Sequence, residues 1–287
     1  MPKIHRFRMR SAPCRWLATW ALLLGLAGCA QVPHVADHPS AEAAWSAVGG
    51  QAGLLYERDA SRPGQVLHWL RLDLQDPALR LELTPPQERG RPLDGFSGSP
   101  DALAVLNASF FSKTFEPRGL TMSQGEAWSP VMADQASPLI ACDKRPRCGL
   151  QLQPPYALSP ETWMAVAGTP WLIRDGRTRL PDDDATCPAF CAMTHPRTAA
   201  GLDASGRYLT LVLAEGRRGE VAGLRLAELA ALMAARGVHQ AFNLDGGGSS
   251  SLLLEGCSVM ARPFNEPALR PLANAIVIRR VTVESAR

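Results

Sequence analysis

Apolar and polar positions alternate strictly in Leu79-Arg80-Leu81-Glu82-Leu83 and partly along residues 66–74. A period of two sends successive side chains to opposite faces, so both segments read as half-buried strands with the turn pair Asp76-Pro77 between them. Shorter apolar runs predict further strands at 103–107, 138–141, 164–167, 208–214 and 275–283. One helix is predicted, over residues 223–236, where Leu224, Leu226, Leu229, Leu232 and Met233 share a face and Gly237 supplies a stop. It lies between the strand 208–214 and a short strand ending at Leu244. The strand–helix–strand unit 208–245 therefore delivers Asp245 to a loop at a strand's C-terminal end, a place where loops commonly carry function. Strand signals outnumber helix signals, and there is no internal repeat. The predicted fold class is α+β: a mixed, strand-rich single domain.

The N-terminus changes the picture of where that domain resides. Lys3, His5, Arg6, Arg8, Arg10 and Arg15 precede a short apolar run over residues 16–28. That run has the flanks of an export signal and is short for a permanent membrane span. It ends in Leu26-Ala27-Gly28-Cys29, which resembles the lipobox of bacterial lipoproteins. The resemblance implies a signal peptide over 1–28, acylation of Cys29 and a lipid anchor in the membrane. Ala30 after the cysteine resembles the pattern sorted to the outer membrane, so the expected location is its periplasmic face. Residues 29–50, Ala-rich with Pro33 and Pro39, read as a tether, and 51–287 as the domain. A 46% hydrophobic and 20% charged chain is expected to pack a core. The net charge of +3 includes the basic leader, and the body has no basic cluster interleaved with aromatics. No nucleic-acid partner is therefore expected.

Seven cysteines are present. Cys142/Cys148 and Cys187/Cys191 are close pairs, which in an exported protein read as small-loop disulfides. The spacing of Cys187 and Cys191 also suits zinc, but no matching Cys/His pair follows. Cys257 is left over.

Four groups could carry chemistry. In Asn243-Leu244-Asp245-Gly246-Gly247-Gly248-Ser249-Ser250, a costly glycine run suits close approach to a ligand, and its amides could form an anion-binding nest; a flexible turn is the bland alternative. It is neither a Walker loop nor GxGxxG. His195-Pro196-Arg197-Thr198 offers a guanidinium suited to phosphate or carboxylate, against the alternative of an exposed loop. Glu215-Gly216-Arg217 puts opposite charges at a strand terminus, or is an ordinary exit turn. Asn107-Ala108-Ser109-Phe110-Phe111 follows an apolar strand, or is a cap returning to the core through Phe110 and Phe111. There is no GxSxG elbow, HExxH or EF-hand loop.

Taken in order, these groups resemble the phosphodiester glycosidase domain family. The resemblance adds Arg118-Gly119-Leu120-Thr121, Ala167-Gly168-Thr169-Pro170, Asp175-Gly176 and Arg270-Pro271-Leu272-Ala273-Asn274-Ala275, and covers roughly residues 66–283. Two departures stand out: Glu215 where the family usually has Asp, and Ala108 where it usually has Gly.

The resemblance implies hydrolysis of a sugar 1-phosphodiester at the anomeric C–O bond, with an N-acetylhexosamine as the expected sugar. The leaving group is an acidic phosphate monoester, which needs its growing charge neutralised more than it needs protonation. His195, Arg197 and Arg217 suit that task. A carboxylate must activate water or attack the sugar, with Asp245 the first choice and Glu215 the second. Asn107, Thr198, Asn243, Ser249, Ser250 and the amides of Gly246, Gly247 and Gly248 would orient sugar hydroxyls or phosphate oxygens. No cofactor or metal is required by this scheme. Two alternatives remain open: a sugar-phosphate-binding lipoprotein without turnover, and a phosphodiesterase with a divalent metal on Asp245 and Glu215.

Overall fold

Among the described residues, period-two patterning is realised as three antiparallel sheets. The computed structural model describes residues 45–96, 100–128, 137–145, 147–185 and 187–281. The expected signal peptide, Cys29 and most of the expected tether lie outside these residues. Among the described residues, pairing begins at the strand Ser46–Val48, within the stretch expected as tether.

The largest sheet is strand-rich and almost wholly buried at its centre. Its inner order is Gln51–Asp59, Leu67–Asp73, Tyr208–Ala214, Arg197–Asp203, Val238–Asn243 and Trp171–Arg174, each antiparallel to its neighbours. The strands Tyr208–Ala214 and Val238–Asn243 both oppose Arg197–Asp203, so they run parallel to each other and the helix Leu226–Ala235 makes the crossover. The predicted strand–helix–strand unit is therefore present, with a third strand inserted between its two strands. That third strand was not predicted. Both of its faces are buried and it contains Ala199-Ala200-Gly201, so it has neither alternation nor strong strand formers.

The sheet separates two cores. Leu209, Leu211 and Leu213 point into one, where Leu81, Leu83, Leu106, Ile276 and Ile278 of a second sheet meet them. Val212, Ala214, Leu67 and Trp69 point the opposite way, onto Leu226, Leu229, Ala230 and Met233 of the helix. Each fully buried Leu or Met contributes about 1.5–3 kcal/mol, so the alternation itself fixes the layering. The helix starts later than predicted. Glu228 reaches back to accept the Arg225 N–H at 2.9 Å, which caps it. Leu224 thus precedes the helix and pairs with His195 in an isolated bridge.

Leu67–Asp73 and Leu79–Leu83, adjacent in sequence, lie in different sheets. Leu79–Leu83 edges a sheet whose centre is Ala102–Asn107 and Ala275–Arg280, the latter ending earlier than the expected 283. Thr162–Ala167, between Thr121–Ser123 and Leu139–Asp143, centres the remaining sheet. Among the described residues Cys142–Cys148 and Cys187–Cys191 form disulfides, so the latter pair is committed to a small loop rather than to zinc.

The ends of Ala102–Asn107 and Val238–Asn243 meet at the seam between two sheets. The Asp245 N–H donates to Ala108 O at 3.1 Å, and the Leu244 N–H to Thr198 O at 2.8 Å. Asp245 is thereby fixed by backbone bonds to both sides of the seam.

Candidate active site

The glycine run after Leu244 is explained by what lies against it. A methyl on Gly246 would fall 2.8 Å from the Pro196 carbonyl, and one on Gly247 3.3 Å from the Arg217 guanidinium. One on Gly248 would fall 2.1 Å from Glu266 Oε1. Gly247 also has φ +60°, which disfavours any side chain. The anion-nest expectation fails for the first two amides. Gly246 N–H donates to Asp245 Oδ1 at 2.9 Å, and Gly247 N–H to Pro196 O at 2.8 Å. The glycines let charged side chains come close, and two of their three amides are already engaged.

Two adjoining cavities share Asp245 and Arg270. One, of about 320 Å³, is bordered by Phe110, Phe111, Arg118, Thr169 and Ser249. The other, of about 190 Å³, is bordered by Phe190, His195, Arg197, Arg217, Asn243 and the three glycines. Asp245 is the sole carboxylate among the described residues lining either cavity. Burial pushes its pKa up to about 6, against the opposing effects of Ser249, the Gly246 amide and the Arg270 charge. It titrates close to neutrality, where a carboxylate can both accept a proton and give it up.

Arg197 is 1% exposed, which overturns the exposed-loop alternative. Its Nε donates to Leu224 O at 3.0 Å, and Nη2 to Phe190 O at 2.6 Å and Met193 O at 2.8 Å. Burial lowers its pKa to about 10, so it stays charged at neutral pH. Phe190 belongs to the turn closed by Cys187–Cys191, so that disulfide helps to hold the guanidinium. His195 is placed differently from expectation. Burial, and then the charges of Arg197 and Arg217, hold its pKa below the ordinary value despite the contact with Ala189 O. With Nε2 at 3.3 Å from Ala189 O and Nδ1 at 3.1 Å from Arg217 Nη2, the neutral ring accepts from Arg217. It orients a cation rather than serving as one.

Four predicted residues do not line the cavities. Glu215 Oε1 accepts from His68 Nε2 at 2.9 Å and from the Ala261 N–H at 3.0 Å, while His68 Nδ1 meets Tyr56 Oη at 2.9 Å. Arg218 approaches its other oxygen at 3.4 Å. Burial tends to raise the Glu215 pKa, but the His68 and Ala261 hydrogen bonds and the neighbouring cations outweigh it, and the value is lowered. Glu215 is a buried brace between strands and loop, not a group aimed into either cavity. Asn107 is also consumed by the scaffold: Nδ2 donates to Asp245 O at 2.6 Å, and Oδ1 accepts from Thr198 Oγ1 at 3.0 Å and the Ser251 N–H at 3.2 Å. Asn107 and Thr198 thus set the Asp245 backbone. Ser250 is buried, with its hydroxyl unpartnered, outside the described linings. Asn243 lines the smaller cavity and donates to Thr169 O and Leu244 O, at 2.9 and 2.8 Å, while its Oδ1 lacks a partner.

Arg270, Arg118, Phe110, Phe111 and Phe190 escaped the sequence-based choice of site residues. Phe110 and Phe111 are half-buried cavity walls rather than a simple return to the core. The segment beginning Arg270-Pro271 carried a signal, because it matched the family pattern, but nothing in it indicated that Arg270 faces Asp245.

The cleft sets one carboxylate between an aromatic-walled cavity and a guanidinium-lined one. The profile of the phosphodiester glycosidase family matches residues 100–279, and the chain belongs to that family. The human N-acetylglucosamine-1-phosphodiester alpha-N-acetylglucosaminidase is 36% identical over 101 residues, covering 32% of this chain and 19% of the relative. An uncharacterised prophage-derived protein of Bacillus subtilis is 34% identical over 86 residues, covering 30% of this chain and 13% of that protein. The chain thus spans about a fifth or less of the length of these curated relatives. In structure it is similar to the zebrafish N-acetylglucosamine-1-phosphodiester alpha-N-acetylglucosaminidase catalytic domain auto-inhibited by its pro-peptide. The TM-score is 0.62 at 17% identity, over 79% of this chain and 82% of that one. A hypothetical protein from Synechocystis gives 0.63 at 17% identity, over 80% and 62%. These structural likenesses concern the fold.

Proposed function

We propose that the protein is a hydrolase that cleaves the glycosidic C–O bond of a sugar 1-phosphodiester. The observation that carries this reading is the position of Asp245, common to an aromatic-walled cavity and a guanidinium-lined one. The sugar occupies the first, with its apolar face against Phe110 or Phe111. The phosphate occupies the second, against Arg197 and Arg217. The scissile bond then lies at the junction, beside the carboxylate. Family membership and the activity for which the relatives are named support the same assignment.

In the reaction, oxygen from water or from Asp245 itself bonds to the anomeric carbon. The electron pair of the breaking C–O bond leaves with the phosphate, where fixed guanidinium charge is worth most. If water attacks, Asp245 takes its proton. Direct attack by Asp245 forms a glycosyl ester that water must then cleave at the anomeric carbon, restoring the carboxylate, so the anomer first released distinguishes the two routes: the double displacement gives net retention. The reading does not use Glu215. A divalent metal on Asp245 and Glu215 is disfavoured by the geometry, since the Glu215 oxygens face His68, Ala261 and Arg218.

The test is incubation with an N-acetylglucosamine 1-phosphodiester and analysis of products. Free sugar with a phosphomonoester is expected. Sugar phosphate would mean P–O cleavage, and no product across a panel of sugar phosphodiesters would leave a binding protein. We further propose that Cys29 carries a lipid anchor at the periplasmic face of the outer membrane, supported by the basic leader and the Leu26-Ala27-Gly28-Cys29 sequence. Mass spectrometry of the mature N-terminal peptide checks this: an unmodified Cys29, or a chain cleaved elsewhere, refutes it.

A further inference from the structure

Arg270 borders both cavities, yet no cavity-lining group holds it. Its partner is Glu266, four residues earlier on the same loop, through a short Nη2–Oε1 ion pair. The Glu266 side chain is 13% exposed and the Arg270 side chain 44%, so the carboxylate is tucked in while the guanidinium stays open. Both lie against Gly248, where a methyl would fall 2.1 Å from Glu266 Oε1 and 2.7 Å from Arg270 Nη2. The loop is pinned onto the site at two further points. The Ala261 N–H donates to Glu215 Oε1 at 3.0 Å, and the Phe264 N–H to Arg217 O at 3.1 Å. Within it, the Glu266 N–H donates to Pro263 O at 3.0 Å, and Arg262 donates to Pro267 O.

We propose that Glu266 is a positioning residue that holds the Arg270 guanidinium over the glycine run, where Arg270 binds the substrate's phosphate across the junction of the two cavities. The identity of that anion rests on the phosphodiester reading above; the positioning of Arg270 does not. A long arginine side chain loses considerable rotamer freedom when it is fixed, and a partner that fixes it in advance removes part of that loss from binding. The pair is partly solvated, so little of its effect is expected in folding stability. Its effect falls on the ligand and on Asp245. The charged groups around this junction are Asp245, Glu266, Arg217 over Gly247, Arg197 and the neutral His195 behind it, and Arg118 across the larger cavity. Among them, Arg270 is the cation whose charge opposes the upward shift of Asp245.

The test uses the full chain and needs no turnover. Inorganic phosphate is titrated calorimetrically into wild-type protein and the variants E266A, E266Q and R270M, and the Asp245 carboxylate is titrated by carbon-13 NMR. R270M and E266A are each expected to weaken phosphate binding about tenfold, the loss of one charge-assisted contact. Both are expected to move the Asp245 midpoint upward, with E266Q between them and wild type. The sign is diagnostic. Removing a negative charge while Arg270 stays in place would move the midpoint down, and only loss of the Arg270 charge from the site moves it up. Phosphate binding by E266A and E266Q within twofold of wild type, an unchanged or lowered midpoint in E266A, or no phosphate binding by wild-type protein would each overturn the proposal. If E266A fails to fold, E266Q carries the comparison. Failure of wild-type protein to cleave any sugar phosphodiester, with these titrations as expected, would sink the hydrolase reading and leave the Glu266–Arg270 assignment standing.

Discussion

Asp245→Asn separates a catalytic carboxylate from a structural one, because the two roles predict opposite changes in stability. In the folded protein, burial raises the Asp245 pKa from 3.8 to about 6. A carboxylate whose folded pKa is raised favours folding when protonated, fully so below pH 3.8. That contribution disappears as pH rises through about 6. Near pH 7.5 the ionised group therefore opposes folding. The shift corresponds to about 3 kcal/mol at 1.36 kcal/mol per unit, or about 2 kcal/mol once the part of the side chain open to the cleft is discounted for solvent. Asparagine keeps an acceptor for the Gly246 N–H and the Ser249 hydroxyl without the buried charge. The variant should be more stable than wild type by about 2 kcal/mol in urea unfolding at pH 7.5, and nearly equal to it below pH 4. It should also lose at least about a hundredfold in kcat on an N-acetylglucosamine 1-phosphodiester. Wild-type activity should rise with pH through an acid limb near 6, since the ionised form is the one that accepts a proton or attacks. A destabilised Asp245→Asn at pH 7.5, a stability gain that persists at pH 4, or a fully active variant would each refute this account.

Other consequences follow from the same geometry. Glu215→Gln should keep kcat within about tenfold while losing about 1–3 kcal/mol of stability above the carboxylate range, because it disturbs a buried charge-assisted bond to His68. Parallel kinetics and urea melts decide it, and a loss as large as that of Asp245→Asn with stability intact would return Glu215 to the chemistry. Asn107→Ala removes three hydrogen bonds and should cost about 2–4 kcal/mol, with activity lost through a displaced Asp245; a variant as stable as wild type would contradict this. Gly248→Ala should raise KM more than it lowers kcat, because its methyl must displace the Glu266–Arg270 pair; an unchanged KM would show that the pair has room to move. Replacing Cys187 and Cys191 together by Ser should also raise KM, since their loop supplies the carbonyl that fixes Arg197 Nη2, and phosphate titration would detect the weaker site.

How much was legible depended on whether a residue's role is local. The strand Leu79–Leu83 was readable because alternation follows from the pleat and from having two different faces, and Tyr208–Ala214 because its apolar run carries strand-forming Tyr, Thr and Val. The helix was readable because its apolar face recurs with the helical period, although its start was not: Leu224 fits the face and is held instead by a bridge to His195. Arg197–Asp203 was invisible, because a strand buried on both faces and rich in Ala and Gly has no period to see.

The glycine run shows the same division within the site. The sequence alone determined that a glycine run suited to close approach follows Leu244, that a carboxylate would stand at the head of that run, and which family the ordered motifs resemble. Each of these follows from residue type and spacing along the chain. Only the tertiary structure decided what approaches. The amides of Gly246 and Gly247 are spent on Asp245 and Pro196, and side chains from remote loops, Arg217 and the Glu266–Arg270 pair, fill the space the missing methyls leave. It also turned Glu215 inward to His68 and set Glu266, to which the sequence pointed in no way, beside the site. Such assignments depend on which segments cross at the seam between sheets, and no local pattern of hydrophobicity or charge encodes a contact between residues that far apart in the chain.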